Sequence, residues 1–547
     1  MKPRLPFLIP LLLVFGLQAG AKDRYPVNPN IDILHYRFTL QLEDTTDRIR
    51  VASEIRFHTK GPEGFLELDL TSAGPDGKGM TIREVFLDGS ACPFTHRDDR
   101  IRISLPDSKV KTADRHLSVT YDGIPRDGLI IGMSKFGKRT FFGDNWPDRA
   151  RHWLACIDHP SDKATVDFEV TAPAHYNVVG VGQLAGVYRP SGEGLSSSAY
   201  LTTIWQERIP IPTKVMVIGA ADFAWETAGY SYGIPIQSWV YSDNRAAGFT
   251  DYEPAVEITS FFQDLIGPFS YEKLANVQSK TIYGGMENSS CIFYYENSVT
   301  GQNRLHSLLA HEIAHQWFGD AVTEKDWHHI WLSEGFATYL EAVCSDSLFK
   351  GRTLEESMKS MRAEVIRYHS RSPKPVIDTT ITNFMELLST NSYQKGAWVL
   401  HMLRQEVGDE AFWKGIRKFY ADYRNDNALT SDFKRVMEEV SGRKLEVFFH
   451  QWLEKPGQPA LDWSWKYLQT GGKLEIVCNQ TQPGTPFEFT LMVEVTLPKT
   501  GKIMRYPCRI TRSRETFVFD CDQAPSAIRL DPEISLLFTA TEPAVRN

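Results

Sequence analysis

The sequence predicts a multidomain α+β protein with an all-β N-terminal domain, a mainly helical central domain and a small C-terminal β-sandwich. Apolar residues recur at every second position up to about residue 225, at three- and four-residue intervals over 226–458, and at every second position again from 459. The first and last patterns belong to half-buried strands and the middle one to helices with one buried face. At 547 residues the chain also exceeds what one hydrophobic core holds, since cores stop growing near ~250–300 residues.

Residues 1–21 are expected to be a signal peptide. Lys2 and Arg4 precede the apolar stretch Phe7–Leu17, and Ala19-Gly20-Ala21 has the small-residue form of a cleavage site. The stretch is shorter than the ~20 residues of a spanning helix. Pro6 and Pro10 interrupt it, and no cysteine follows it for lipid attachment. The expectation is a mature chain starting near Lys22, exported to the periplasm or secreted, with no stable membrane anchor.

In the domain expected over 22–225, Tyr36, Phe38, Leu40 and Leu42 share one strand face, as do Ile49, Val51, Ile55 and Phe57. Antiparallel strands are expected here, punctuated by turns such as Gly74-Pro75-Asp76-Gly77. Over 226–458, helices are expected near 250–266, 303–318, 333–346, 353–369, 391–405, 409–424 and 429–441, with Gly319 and Gly335 at breaks. Lys455-Pro456-Gly457-Gln458-Pro459 stops the last of them. Alternation in Phe487–Leu497 and Thr516–Phe519 predicts the β-sandwich of 459–547.

A net charge of −8 offers no basic footprint for nucleic acid. The seven cysteines show no C-x-x-C pair and no zinc-ribbon spacing. Cys508 and Cys521 flank an apparent hairpin, where an exported protein could place a disulfide.

The chemistry-bearing pattern is His311-Glu312-Ile313-Ala314-His315. Helical residues four apart share a face, so both imidazoles can reach one cation, with Glu312 beside them to accept a proton from water. A third ligand is needed. Glu334, in Trp331-Leu332-Ser333-Glu334-Gly335, follows after eighteen residues, enough for one helix to end and a second to return antiparallel. Ser333 is expected to help cap that second helix. Two imidazoles and a carboxylate suit one Zn2+ better than calcium or magnesium. His328 and His329 compete as ligands from the connecting segment, whereas His306 lies too far round the helix.

The chain resembles the zinc aminopeptidases related to aminopeptidase N and leukotriene A hydrolase. The likeness runs from Asn145-Trp146-Pro147-Asp148-Arg149-Ala150-Arg151 and Asp158-His159-Pro160-Ser161-Asp162-Lys163-Ala164, through the metal pattern, to Phe448-Phe449-His450-Gln451-Trp452. It implies a saddle-like N-terminal domain and a thermolysin-like catalytic domain. The family's Gly-Ala-Met-Glu-Asn signature appears as Gly284-Gly285-Met286-Glu287-Asn288, with Gly for Ala at its second position. In the family that segment is an edge strand on which the substrate lies, and its glutamate pairs with the substrate's α-amino group.

The resemblance therefore implies peptide substrates with a free N-terminus, bound by Gly284, Gly285, Met286, Glu287 and Asn288. It also implies Glu312 as general base and Tyr393, in a Tyr-x-x-Gly element ending at Gly396, as oxyanion donor. Tyr283 would wall the first side-chain pocket, and Asn145 or Asp144 would supplement the amine site. The alternatives are a zinc endopeptidase, an epoxide hydrolase on the same zinc, and an inactive peptide-binding relative. Oligomeric state is left open.

Overall fold

The computed structural model describes residues 24–61, 63–105, 112–190, 199–498 and 501–545; the expected signal segment 1–21 lies outside them. Among the described residues no helix is long and apolar enough to cross a membrane.

The N-terminal region is all-β. Its largest sheet has the order Gln183–Tyr188, Tyr200–Pro212, Lys163–Pro173, Ile31–Gln41, Ile49–Thr59, Ala113–Ile124, Gly79–Leu87 and Ser90–Ala91. The two alternating sets expected from the sequence are both buried, Tyr36, Phe38 and Leu40 on one strand with Leu42 just past its end, and Ile49, Val51, Ile55 and Phe57 on the next. Gly74–Gly77 does form a turn, closed by the bond from Gly77 N–H to Gly74 C=O. One strand pair departs from the antiparallel expectation: Ile31–Gln41 and Lys163–Pro173 run parallel. Local alternation identifies a strand but carries no information about a partner more than a hundred residues away.

The central region starts with strands before its helices. Phe223–Ser231 and Ile234–Tyr241 form a hairpin, so a division at 225/226 falls inside a strand. They begin a five-stranded sheet that continues through Leu274–Ser279 and Cys291–Tyr295 to the edge strand Gly285–Met286. Helices follow as α1 (Arg245–Tyr252), α2 (Ala255–Leu265), α3 (His306–His315), α4 (Trp331–Leu348), α5 (Leu354–His369), α6 (Gly396–Val407), α7 (Asp409–Tyr423), α8 (Thr430–Ser441) and the short α9 (Glu446–Phe449). The expected segments are found, shifted by a few residues at their ends. At α5, Thr353 and Glu356 form a reciprocal capping box, which fixes where that helix begins.

Gly335 is not at a break but inside α4. A Cβ there would lie 2.9 Å from Gly396 Cα, so the two glycines let the backbones of α4 and α6 touch. Gly319 does end the helical turn after α3, with φ of +132°. Ser333 is no cap either, because α4 already begins at Trp331.

The C-terminal β region contains a five-stranded and a three-stranded sheet. The expected hairpin around Cys508 and Cys521 does not form. Ile503–Ile510 pairs with Phe489–Thr496, whereas Arg514–Asp520 pairs with Lys473–Gln480 in the other sheet. Cys508 and Cys521 are consequently separate thiols, directed at the carbonyls of Tyr506 and Gln523. All seven cysteines are unpaired.

The regions are tied together by buried polar contacts. Lys214 of the N-terminal region pairs with Glu324 at 2.6 Å, both almost fully buried, and Lys163 caps the carbonyls of Asp320 and Ala321. On the other side, Arg362 of α5 pairs with Asp531 and His401 of α6 meets the Ile534 carbonyl.

Candidate active site

The two helices α3 and α4 pack so that three side chains converge. Nε2 of His311 and Nε2 of His315 are 3.2 Å apart, and Glu334 Oε2 lies 3.5 and 3.3 Å from them. All three ligand atoms fall within 4.8 Å of one another. Glu334 Oε2 is buried with no hydrogen-bond partner among the described residues. That leaves one lone-pair-bearing oxygen and two imidazole nitrogens aimed at a common point, which is the donor set of a zinc site.

The outward atoms of the ligands are held by the protein. Ser333 Oγ lies 2.9 Å from His315 Nδ1, close to the Phe318 carbonyl at 3.2 Å. Glu341, seven residues beyond Glu334 on α4, places Oε2 3.3 Å from His311 Nδ1. Such partners fix ring orientation and leave Nε2 for a metal. Burial opposes charge on both histidines, but Glu334 outweighs it, and each imidazole is raised above its ordinary value of 6.5. Glu334 is likewise penalised by burial, yet the two histidines hold it well below the carboxylate range.

Glu312 sits beside this cluster, 5% exposed. Burial pushes its carboxyl up to about 7, with Glu287 and Glu334 adding to the shift and the two histidines opposing it. The edge strand closes over it so tightly that a Cβ on Gly285 would lie 2.2 Å from Glu312 Oε1. A larger residue there would require the Glu312 carboxyl to shift.

Tyr393 comes from a π-helical turn, Asn391–Lys395, just before α6. Its ring stacks on His311 with centroids 6.0 Å apart. Burial, followed by the carboxylates of Glu334, Glu287 and Glu312, raises its phenol well above 10, so it is a hydrogen-bond donor at any working pH. Gly396 is what allows this placement, because the backbone contact with Gly335 brings the turn down beside Glu334.

A cavity of about 430 Å³ joins these residues to Trp146, Tyr283, Gly284, Gly285, Met286, Glu287, Ser307, Leu308, Glu341 and Leu388. Glu287 is 5% exposed and its Oε1 has no hydrogen-bond partner among the described residues. Its backbone carbonyl is fixed by Gln316. Tyr283 forms a wall, edge-on to Trp146. Asn288 is fully buried and does not line the cavity.

Several expected residues are placed elsewhere. Asp144 pairs with Arg149 at 2.6 Å and accepts bonds from Thr281 and Ile282. Asn145 bonds the carbonyls of Thr213 and Met216 and the indole of Trp153. Asp144 holds the Thr281–Ile282 segment that leads to the edge strand, Asn145 ties together loops of the N-terminal region, and neither has capacity directed at an amine. His328 bonds Asp326 and the Ile381 carbonyl, His329 bonds Thr430, and His306 packs on Phe349. None is a metal ligand. Sequence reasoning missed Trp146, the next residue after the two it named, and Glu341, which the i, i+7 spacing from Glu334 could have flagged.

Residues 251–452 match the Peptidase family M1 domain. Among similar proteins are the Tricorn protease-interacting factor F2 of Thermoplasma acidophilum, 26% identical over 83% of this chain and 56% of its own length. Probable aminopeptidase 2 of Sulfurisphaera tokodaii is 26% identical over 71% of this chain and 50% of its own. Aminopeptidase N of Lactococcus lactis subsp. lactis is 26% identical over 70% and 47%. The chain thus spans about half the length of the curated relatives it matches. The family match brackets both ligand-bearing helices, and the relatives align over most of the chain, so this protein is similar to peptidase family M1 across its central region.

Proposed function

We propose that the protein is a zinc-dependent aminopeptidase, hydrolysing N-terminal residues from peptides. The observation that carries this reading is one cavity with a three-donor metal cluster in its floor and the unpartnered Glu287 oxygen at one end. His311, His315 and Glu334 would hold the ion. Zinc in that position would supply a Lewis acid that polarises the scissile carbonyl and acidifies water.

The chain's own residues do the rest. The substrate backbone adds as a further strand to the Gly284–Asn288 edge. Glu287 accepts the α-ammonium group and so places the first peptide bond, and no other, over Glu312. Glu312 takes the proton of the attacking water and delivers it to the leaving amine. The Tyr393 phenol donates to the developing oxyanion, a contact whose loss costs about 3–4 kcal/mol in the transition state. An endopeptidase would need chain to pass beyond Glu287, where the buried carboxylate offers a charged stop instead.

The saddle-like, thermolysin-like and β-sandwich architectures implied by the resemblance belong to this proposal, as does export after removal of residues 1–21. Aminoacyl-anilides and their N-acetylated counterparts, assayed with and without a chelator, test the activity. Chelator-sensitive hydrolysis of the free-amine set alone is expected; equal cleavage of acetylated substrates would overturn it.

A further inference from the structure

Tyr393 occupies the middle of the π-helical turn Asn391–Lys395, and both ends of that turn are tied to distant parts of the chain. Residues four apart in a helical turn are neighbours and the residue midway does not face them. Tyr393 accordingly lines the active-site cavity while Asn391 and Lys395 do not. Single π-helical turns are rare and occur mostly where function requires them.

Lys395 is fully buried. Its Nζ donates to the Gly457 carbonyl at 3.0 Å, and among the described residues no carboxylate lies at ion-pair distance; burial pushes the amine down to about 7. Asn391 is held from two directions. Its amide donates to the carbonyls of Lys374 and Pro375, and its Oδ1 accepts from His369 Nε2 at 2.7 Å. His369, the last residue of α5, is itself held by Gln458, whose side-chain oxygen lies 2.5 Å from Nδ1. Both ties therefore end on neighbouring residues, Gly457 and Gln458, in the segment that leads into the strand Ala460–Leu468. The Pro459 carbonyl anchors this segment to the C-terminal β region by accepting from Thr539 N–H at 2.9 Å.

We propose that Lys395 and His369 are positioning residues that hold the Tyr393 phenol beside the metal cluster, with the entrance to the C-terminal β region as their anchor. This rests on the aminopeptidase reading above, in which Tyr393 is the oxyanion donor. A cation buried without a counter-ion opposes folding, and an apolar side chain of similar length would fill the same space without that penalty. What such a side chain lacks is a donor for the Gly457 carbonyl. Lys395 thus weakens the fold locally and fixes the last residue of the turn, as His369 fixes the first through Asn391. The C-terminal β region, none of whose described residues lines the cavity, acts on catalysis by holding the segment from which the turn is suspended.

The test measures kcat, KM, zinc content and Tm on the zinc-loaded full chain, with an aminoacyl-anilide as substrate. K395M should lower kcat by roughly ten- to a hundred-fold, the scale of an ångström's misplacement. KM and zinc content should stay near the parent's, and Tm should be equal or higher. Q458A, which removes one contact outside the cavity, should lower kcat less and in the same way. The decisive readout is the background: in Y393F/K395M and Y393F/Q458A the second substitution should have little further effect, because the group it positions is gone. An unchanged kcat in K395M, or the same fold-loss with Tyr393 present and absent, would overturn the positioning role and leave the aminopeptidase reading intact. Failure of the wild type to cleave any free-amine substrate would instead overturn that reading and this inference with it.

Discussion

The two ends of the active-site cavity are built on opposite principles. At the metal end, the outward atom of each histidine already has a protein partner, Ser333 for His315 and Glu341 for His311. At the amine end, Glu287 Oε1 and the Trp146 indole N–H are buried and unpartnered among the described residues. Buried polar groups without partners cost about 1–3 kcal/mol each, so their persistence points to partners that arrive with a ligand. On the proposed function, the metal end is fixed before anything binds, and the amine end is completed by the substrate. Substitutions at the first should therefore change metal content or turnover, and those at the second should change recognition.

The largest expected effect separates base from ligand within the metal end. Glu312→Gln should keep the zinc and lose roughly 10²–10⁴-fold in kcat, whereas His315→Ala should lose the metal itself. Metal analysis beside steady-state kinetics distinguishes them, and equal metal loss in both would contradict the base assignment. Glu312 also sets a sign for pH. Its carboxyl lies at about 7 without a metal, and a bound dication favours the anion. The acid limb of kcat/KM should therefore fall below pH 7, activity being lost as Glu312 is protonated; a limb above 7 would break the argument.

Next comes Tyr393→Phe, which removes the donor while leaving the ring stacked on His311. It should lower kcat by roughly 10²–10³-fold with KM little changed. A matching rise in KM would move Tyr393 from the transition state to ground-state binding.

The same contrast governs what was legible in the sequence. The metal end is encoded locally: His311 and His315 are one helical turn apart, and Glu334 heads the next long helix, so spacing alone placed all three. Glu341 follows from the same helical arithmetic. The amine end is assembled from distant chain segments. Trp146 reaches the cavity from the N-terminal region, and Asp144 and Asn145, which sequence proximity made look equivalent, turn away from it, Asp144 to the Thr281–Ile282 segment and Asn145 to Thr213 and Met216. The roles of Gly335 and Gly396 were hidden for a related reason, since a glycine inside a helical pattern reads as a break until its neighbour across the interface is known. The Cys508–Cys521 expectation failed similarly, because two adjacent alternating runs paired in different sheets.

At the amine end, Glu287→Ala should raise KM for free-amine substrates by roughly ten-fold or more, the loss of a charge-assisted pair, and erase the preference over acetylated substrates. Metal content should not change, because Glu287 is not among the ligands. An unchanged preference would remove Glu287 from amine recognition and leave the register of cleavage without a physical cause.

The smallest effect tests how much the metal end owes to its outward partners. Ser333→Ala deletes only the hydroxyl that faces His315 Nδ1, and the Phe318 carbonyl remains 3.2 Å away to hold the ring. Glu341→Gln removes the negative charge facing His311, for which no second partner is present at that nitrogen among the described residues. Partners of this kind are worth about 10–100-fold in metal affinity. The serine variant should fall at the lower end of that range and the glutamine variant at the upper, both measured by competition with a chelator. If Ser333→Ala binds zinc as tightly as the parent, the Phe318 carbonyl alone orients His315, and the metal end is pre-organised by backbone rather than by the side chain that α4 presents.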